Sequence, residues 1–227
     1  MASERLVVRL ECRAALRSVR GRLHSRSFAV FALSFFSAPL HAAGGPLNID
    51  HRLPFDDHGI WNRSVQELLL DSMIAGEIGG AVCEGGETRV GRTLWYSIDA
   101  SGAGALSSEL FKRVFSRVRP NETNDPDLWF QGDSHESFPS GEVTAVTAIV
   151  TPFVLEYRAD RPAVYALELL PVYDAIARMK VQAHWQTDVI AGFALGTAWG
   201  YLVRGRDTPF VLSVLPHGVM VGVSKRF

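Results

Sequence analysis

The sequence predicts an all-α fold, a bundle of helices in one domain. Its 227 residues are about the length of one substantial domain. Hydrophobic residues form 47% of the chain and charged residues 21%, which suits a folded core and excludes a disordered, collagen-like or coiled-coil protein. Apolar side chains recur at helical spacing over most of the chain, and an alternation typical of a strand occurs only near its end.

The first 43 residues differ in composition from the rest. Seven arginines are followed by an apolar run at 28–36 and by small residues at Ala42 and Ala43. A basic stretch, a short apolar stretch and small exit residues are the parts of a secretory signal. We therefore expect 1–43 to be a cleaved signal peptide and the protein to be periplasmic or exported. An uncleaved inner-membrane anchor and a cytoplasmic amphipathic arm are the alternatives.

The segment after residue 43 predicts an irregular lead-in and then a helix. Residues 44–62 are rich in Pro, His and Asp, which is typical of irregular structure. From Arg63 to the Gly79-Gly80 pair, apolar residues repeat every three or four positions, so a helix is predicted there. A glycine-rich break follows at 84–86.

The middle of the chain predicts a second helix and a long loop. Small residues at 100–105 separate a short stretch at 92–97 from the helix, which we expect at 106–118. Residues 121–137 are polar and contain proline and glycine, which predicts a loop. Loops of this length inside a domain often belong to active sites.

Three apolar segments of helix length follow, at 142–157, 162–178 and 184–203. Each is too short, or too interrupted by proline or charged residues, to supply the roughly 18 uncharged residues of a membrane span. We expect them to be core helices of the bundle, within a main domain that extends over 63–205. The C-terminal tail, 206–227, contains alternating valines that predict a short strand or hairpin.

Glycines recur every four residues in the last apolar segment. Gly192, Gly196 and Gly200 therefore share one face of the predicted helix. Small residues on one face let two helices pack closely, in a membrane or in the core of a bundle. Both explanations fit this spacing equally well.

The charge balance limits the classes of partner. The formal net charge is -1 and the isoelectric point is near 6.7, so the chain lacks the basic character of a general nucleic-acid-binding protein. No spacing of cysteine and histidine suits zinc. We expect no nucleic-acid partner, no metal and no cofactor.

Three separate motifs contain residue types that phosphate chemistry uses. The first is Lys112 with Arg119-Pro120, two cations seven residues apart and so within about 20° on one helix face. Pro120 disfavours helical geometry at the preceding residue, which puts Arg119 at the helix end. Such a pair suits a phosphate, but it is also common on a solvated basic face, which here would include Arg113 and Arg117.

The second motif is Phe138-Pro139-Ser140-Gly141-Glu142, directly before a long apolar helix. Ser140 or Gly141 is the predicted N-cap, and the free backbone N–H groups at a helix start bind anions. Most Ser-Gly helix starts are only caps, so this motif alone is a weak signal.

The third motif joins Arg178, His184 and Asp188. His184 and Asp188 are four residues apart and share a helix face, where the carboxylate can accept a hydrogen bond from one imidazole nitrogen. The other nitrogen is then free to act as a nucleophile. An isolated pair of this kind is more often a structural hydrogen bond.

In order and spacing, the three motifs together resemble the tripartite signature of the type 2 phosphatidic acid phosphatase (PAP2)/vanadium haloperoxidase superfamily. The resemblance covers Lys112 to Asp188 and implies an all-α PAP2-type bundle. It also implies that His184 attacks phosphorus to form a phosphohistidine, that Asp188 orients the imidazole, and that no metal is required.

The same resemblance implies a cradle for the phosphoryl oxygens. This cradle would stabilise the charge spread over those oxygens in the transition state. Its residues would be Lys112, Arg119, Ser140, Gly141 and Arg178.

Two positions depart from the family's pattern. Ala177 stands where a serine usually precedes the arginine of the third motif, and Glu142 stands where the second motif usually ends in the histidine that protonates the leaving group. Either Glu142 is a general acid with a raised pKa and an acid-shifted optimum, or the leaving group needs little protonation, as in a diphosphate. His135, in the loop, is a substitute donor.

The expected function is therefore that of a metal-independent acid phosphatase, a phosphomonoesterase or diphosphatase acting on a phosphorylated small molecule or lipid, with peripheral membrane contact. Two alternatives stay open: a non-catalytic protein that binds phosphate or lipid headgroups, and a vanadate-dependent haloperoxidase. The histidine and aspartate of the third motif favour turnover, because binding alone needs no nucleophile.

Overall fold

The computed structural model describes residues 44–132, 134–207 and 209. Within these residues the regular structure is entirely helical, so the predicted all-α fold is confirmed. Short 3-10 helices occur at Gly59–Trp61 and Pro162–Glu168. The five longer helices are α1 (Arg63–Glu84), α2 (Arg89–Phe115), α3 (Gly141–Tyr157), α4 (Leu169–Lys180) and α5 (Gln186–Arg204).

Helix α3 lies at the centre of the bundle, packed against α2 and α5. It is apolar nearly all round, as expected of a buried helix, and Val143, Val146 and Ala148 are fully buried. Ala148 packs with residues of α2 and α5, whereas Val143 packs with residues of α4 and α5. This central position matters because the second motif forms the first turn of α3.

The glycine face of α5 packs directly on α3, which is the second of the two explanations that the sequence left open. A β-carbon on Gly192 would lie 2.8 Å from the carbonyl oxygen of Ser140, and one on Gly196 would lie 2.5 Å from that of Thr144. Real β-carbons do not approach this closely, so glycine sets the distance between the two helices. The same contact brings the third motif against the second, where the Ser140 N–H donates to the carbonyl of Asp188 at 3.0 Å.

Helix α2 differs from the prediction. It is continuous through 100–105, where Ala100 and Gly104 lie against α3, Ala100 packed with Ala148 and Gly104 on Thr144. It also ends at Phe115, since Ser116 adopts the left-handed conformation with φ of 39°. Arg119 therefore lies beyond the helix, and the prediction that it shares a helix face with Lys112 is wrong.

The other predicted segments correspond to the structure with shifted bounds. The segment 162–178 is a 3-10 helix followed by α4, and α5 begins only at Gln186, so that His184 precedes the helix. No helix in the described part of the chain is both long and apolar enough to cross a membrane. The predicted signal segment at 1–43 and the predicted C-terminal strand lie outside the described residues.

The lead-in is irregular and fastened to the domain. Gly44 and Asp50 form an isolated antiparallel bridge. The Arg52 guanidinium donates to the side chain of Gln182 at 2.8 and 3.0 Å, and the Asp50 side chain is fully buried. The segment thereby reaches the turn between α4 and α5, which carries His184.

Candidate active site

His184 lies in the turn before α5 with its imidazole buried, only 4% exposed. Its Nδ1 is 2.7 Å from the carbonyl oxygen of Ser137. A carbonyl can only accept, so Nδ1 carries the proton and Nε2 carries the lone pair. Nε2 makes no hydrogen bond with any described residue. The ring is thus held in the tautomer that a nucleophile attacking through Nε2 requires.

The charge state of His184 follows from its surroundings. Burial lowers its pKa well below the usual value, and the positive charges of Arg178, Arg119 and Lys112 lower it further. The hydrogen bond to Ser137 opposes these effects only in part. The imidazole is therefore neutral at pH 7, which keeps the Nε2 lone pair available.

The sequence predicted that Asp188 accepts a hydrogen bond from His184, and this is wrong. The nearest carboxylate oxygen is 3.9 Å from Nδ1. It accepts instead from the Ser137 hydroxyl at 2.5 Å and from the Trp185 backbone N–H at 2.8 Å. Burial raises the pKa of Asp188 to about 6 against the opposing charge of Arg117, so the carboxylate is ionised at neutral pH.

The other oxygen of Asp188 accepts from Arg117 at 2.5 Å. The sequence predicted Arg117 on a solvated basic face, and this is wrong because its side chain is fully buried. Its guanidinium also donates to Asp50 at 2.6 Å and to the Pro126 carbonyl. Neither Arg117 nor Asp50 belongs to a predicted motif.

The three cations of the motifs converge near His184. Their charges all lower its pKa, and Lys112 approaches the start of α3, where a β-carbon on Gly141 would lie 3.3 Å from the ammonium nitrogen. Arg178 is buried and donates to Gln66 of α1 at 3.1 Å, while its Nε is buried without a hydrogen-bond partner among the described residues. Arg119 reaches the same region from the loop.

The N-terminus of α3 adds a second unused polar atom. Ser140 is the N-cap, but its side chain makes no capping hydrogen bond, and its hydroxyl is buried without a partner in the described structure. Buried polar groups normally have partners, so the unpaired Ser140 hydroxyl and the unpaired Arg178 Nε are available to bind a ligand. With the free N–H groups of the first helical turn, these atoms suit an oxyanion.

Glu142 is held in a fork by Arg63, the first residue of α1. Two hydrogen bonds of 2.8 and 2.7 Å join the guanidinium to the two carboxylate oxygens, and Arg178 lies 3.6 Å from one of them. Burial would raise the pKa of Glu142, but the hydrogen bonds from Arg63 and the charges of Arg178 and Lys112 outweigh it, so the pKa is lowered. Glu142 is thus ionised in the free site.

The alternative proton donor, His135, lies in the long loop, where its ring is 3.0 Å from a carboxylate oxygen of Glu122. The loop also carries aromatic residues, with the Phe138 ring 5.1 Å from those of Phe115 and Trp129. Beside them lies a largely apolar cavity of about 520 Å³. Its lining residues are Pro46, Leu47, Phe115, Trp129, Phe130, Phe138, Thr187, Ile190, Ala191 and Ala194.

A neutral buried histidine, three nearby cations and a helix N-terminus are groups that suit an oxyanion. The profile of the PAP2 superfamily matches residues 93–206, half of the chain. The chain belongs to the PAP2 superfamily.

The chain is similar in sequence to two lipid A 1-phosphatases. The chain is 36% identical over 115 residues to a lipid A 1-phosphatase of Rhizobium johnstonii, an alignment that covers 48% of this chain and 44% of the relative. It is 35% identical over 112 residues to a lipid A 1-phosphatase of Rhizobium etli, covering 47% and 46%. The chain thus spans less than half the length of these relatives.

Among solved structures, the chain is similar to a transmembrane PAP2 type phosphatidylglycerolphosphate phosphatase from Bacillus subtilis. The identity is 21% and the TM-score is 0.47, with 65% of this chain and 77% of the other covered.

Proposed function

We propose that the protein is a phosphatase that removes phosphate from a phosphorylated lipid through a phosphohistidine on His184, without a metal. The observation that carries the proposal is the geometry of His184. Its Nδ1 proton is committed to the Ser137 carbonyl, and its Nε2 lone pair lies bare in the field of three cations. Such an imidazole is a nucleophile prepared for an anionic electrophile.

The proposed reaction has two steps. In the first, Nε2 of His184 forms a bond to phosphorus as the ester P–O bond breaks, and the leaving oxygen takes a proton. In the second, water attacks phosphorus, the P–N bond breaks, and inorganic phosphate leaves with the histidine neutral again. The imidazole becomes positively charged in the intermediate, which the nearby Asp188 carboxylate stabilises.

The phosphate cradle in this proposal consists of the unpaired polar atoms and the cations. The Ser140 hydroxyl, the Gly141 N–H and the Arg178 Nε would donate to the phosphoryl oxygens, and Lys112 and Arg119 would add charge. Lys112 is also bound to Glu109 at 2.6 Å, on the exposed side. Donors fixed before substrate arrives stabilise the transition state without reorganisation.

We propose that Glu142 does not protonate the leaving group, which is the role of the histidine that usually stands at this position in the family. An ionised carboxylate in a fork with Arg63 has no proton to give, so we propose that it positions Arg63 and Arg178. The leaving group then takes its proton from water. This favours substrates whose leaving group needs little protonation, such as a diphosphate or an activated phosphate ester.

Two findings support a lipid as substrate. The apolar cavity is lined by Phe138, the first residue of the second motif, and by Thr187, next to Asp188, so hydrocarbon bound there would lie beside the site. The similar curated proteins are lipid A phosphatases. We propose accordingly that the protein works outside the cytoplasm or at a membrane surface, where such lipids present their phosphates.

The test is phosphate release by the purified full chain from lipid A, phosphatidic acid, an isoprenyl diphosphate and an aryl phosphate, with EDTA present. Release should survive EDTA and the control variant His135→Ala, and should be lost in His184→Ala. Release that EDTA abolishes would contradict the metal-free route. A folded protein that binds orthovanadate but releases nothing would instead support the non-catalytic phosphate-binding alternative.

A further inference from the structure

A buried chain of charges lies behind His184, on the side away from the bare Nε2. Arg117 donates through one nitrogen to Asp188 at 2.5 Å and through the other to Asp50 at 2.6 Å. All three side chains are completely buried. Asp50 comes from the lead-in, whereas Asp188 belongs to α5, so the arginine joins two segments far apart in the sequence.

Every polar group of the three charged side chains Asp50, Arg117 and Asp188 has a hydrogen-bond partner. Asp50 also accepts from the backbone N–H of Thr187 at 2.7 Å and from its hydroxyl at 2.6 Å. The Arg117 guanidinium stacks on the Trp129 ring at 4.2 Å. Burying charged groups costs desolvation free energy, which their hydrogen bonds must offset. A buried network in which every group is hydrogen-bonded is rigid, so these side chains are held in fixed positions.

Ser137 connects this chain to the histidine. Its hydroxyl donates to Asp188 at 2.5 Å, and its carbonyl accepts from His184 Nδ1 at 2.7 Å. Asp188 therefore orients the imidazole through Ser137 rather than directly. Whatever fixes Asp188 also fixes Ser137 and, through it, the direction of Nε2.

We propose that Asp50 and Arg117 are positioning residues for the nucleophile, acting through Asp188 and Ser137. This inference rests on the proposed function. With two carboxylates and one guanidinium, the buried group of Asp50, Arg117 and Asp188 carries a net negative charge behind the imidazole. That charge opposes the cations in front of the ring and stabilises the positive charge that the ring gains when Nε2 bonds to phosphorus.

The charged groups that face this chain define what a substitution does. Behind the ring they are Arg117, paired with Asp188, and Asp50, paired with Arg117. In front of it they are Arg178, Arg119 and Lys112. Without the negative charge of Asp50, the Arg117 guanidinium pairs with Asp188 alone. This favours the ionised form of Asp188 and lowers its pKa. Moving the positive charge of Arg117 away from Asp188 has the opposite effect.

The test compares Asp50→Asn, Arg117→Lys and the matched control Asp127→Asn in the full chain. Asp127 also fastens the lead-in, through the Gly45 N–H at 3.1 Å, but does not touch Arg117 or Asp188. We expect Asp50→Asn to lower, and Arg117→Lys to raise, the pH of the acidic limb of kcat/KM by about one unit each. We expect kcat to fall about tenfold in both with KM little changed, because neither residue touches substrate. Asp127→Asn should leave the limb in place.

A second measurement reads the chain without turnover. In protein labelled with carbon-13 at its aspartate carboxyls, the Asp188 resonance, assigned by its loss in Asp188→Asn, should titrate lower in Asp50→Asn and higher in Arg117→Lys. Equal shifts in all three variants, or no shift in either Asp50→Asn or Arg117→Lys, would overturn the inference. Absence of phosphate release by the wild type would overturn the proposed function, and the titration would still decide on the charge chain.

Discussion

Glu142 is a single residue at which the proposed chemistry can be tested. Its carboxylate is paired with Arg63 and lies close to Arg178, and these cations outweigh the effect of burial on its pKa. A group with a lowered pKa is protonated only in acid, below its ordinary value. At neutral pH it acts as a charged anchor.

We therefore predict that Glu142→Gln keeps the shape of the pH–rate profile. The rate should fall a few fold, since Arg63 and Arg178 lose the carboxylate that positions them. Glu67→Gln is the matched control, because Glu67 is the other carboxylate bound to Arg63, at 3.0 Å. A basic limb that disappears in Glu142→Gln alone would identify Glu142 as the general acid.

Ser140 allows binding to be separated from folding. Its hydroxyl does not cap α3, whereas Thr88, the N-cap of α2, accepts from the Gly91 N–H at 2.9 Å. We predict that Ser140→Ala weakens orthovanadate inhibition several fold and leaves the melting temperature unchanged. Thr88→Ala should do the reverse, with a loss of about 1 kcal/mol in the free energy of unfolding.

If Ser140→Ala lowered the melting temperature as much as Thr88→Ala, the serine would be structural. Calorimetry and inhibition by vanadate on the same preparations measure both quantities.

Among the helices, the contact of α5 with α3 sets the distance between the second and third motifs. Gly196 and Gly192 both leave no room for a β-carbon, but only Gly192 faces the backbone of the second motif, at Ser140. Gly102, in the middle of α2, has nothing within 4 Å of the position of its β-carbon. The three glycines therefore test packing, site geometry and helix propensity separately.

We predict that Gly196→Ala lowers the free energy of unfolding by about 1–3 kcal/mol, as overpacking does. Gly192→Ala should cost a similar amount and also reduce kcat at temperatures where it is folded, because Ser140 is displaced. Gly102→Ala should stabilise by about 0.5–1 kcal/mol. Equal loss of activity in Gly192→Ala and Gly196→Ala would contradict the role of Gly192 in site geometry.

The helices show how far sequence patterns reach. Periodicity located four of the five because their apolar faces are long and regular, and the family motifs led to the cations around His184. The break predicted at 100–105 was wrong because small residues can mark a close helix contact as well as an interruption. The end of α2 was missed because it depends on the left-handed conformation of Ser116, a non-glycine residue.

The partners of the motif residues could not be predicted. Arg117 and Asp50 are 67 residues apart, and Arg63 and Glu142 are 79 apart. No local periodicity relates residues that are so far apart in the sequence. The sequence shows only that these residues carry opposite charges, as a buried ion pair requires. Many surface residues also carry opposite charges, so the charges alone do not identify the pairs.

Besides Asp188, two buried carboxyls with raised pKa values, Glu77 and Asp174, make the stability of the molecule depend on pH. Burial raises the pKa of Glu77 from 4.5 to about 7. Burial and the charge of Glu142 raise the pKa of Asp174 from 3.8 to about 7, and neither oxygen of Asp174 has a hydrogen-bond partner in the described structure. Between about pH 4 and pH 7, the folded protein therefore keeps these two carboxyls protonated, whereas the unfolded chain releases the protons.

These two carboxyls should accordingly make the free energy of unfolding fall as the pH rises from about 4 to 7, because the folded state keeps their protons, whereas the lowered pKa of His184 acts in the opposite direction. We predict that Glu77→Gln raises the free energy of unfolding by roughly 2 kcal/mol at pH 8 and leaves it unchanged at pH 4. Denaturant unfolding at both pH values measures this. Asp71→Asn, at an exposed acid on the same helix, is the control, and an equal gain at both pH values would contradict the prediction.

The fork between Arg63 and Glu142 has a consequence for exchanging parts between relatives. The family profile begins at residue 93, but the partners of Glu142, Arg178 and Arg117 include Arg63, Gln66 and Asp50, all upstream of it. A chimaera that imports only the recognisable segment would receive the motifs and leave behind the side chains that hold them, directly or through Arg117. The transplantable unit of this protein begins at the lead-in.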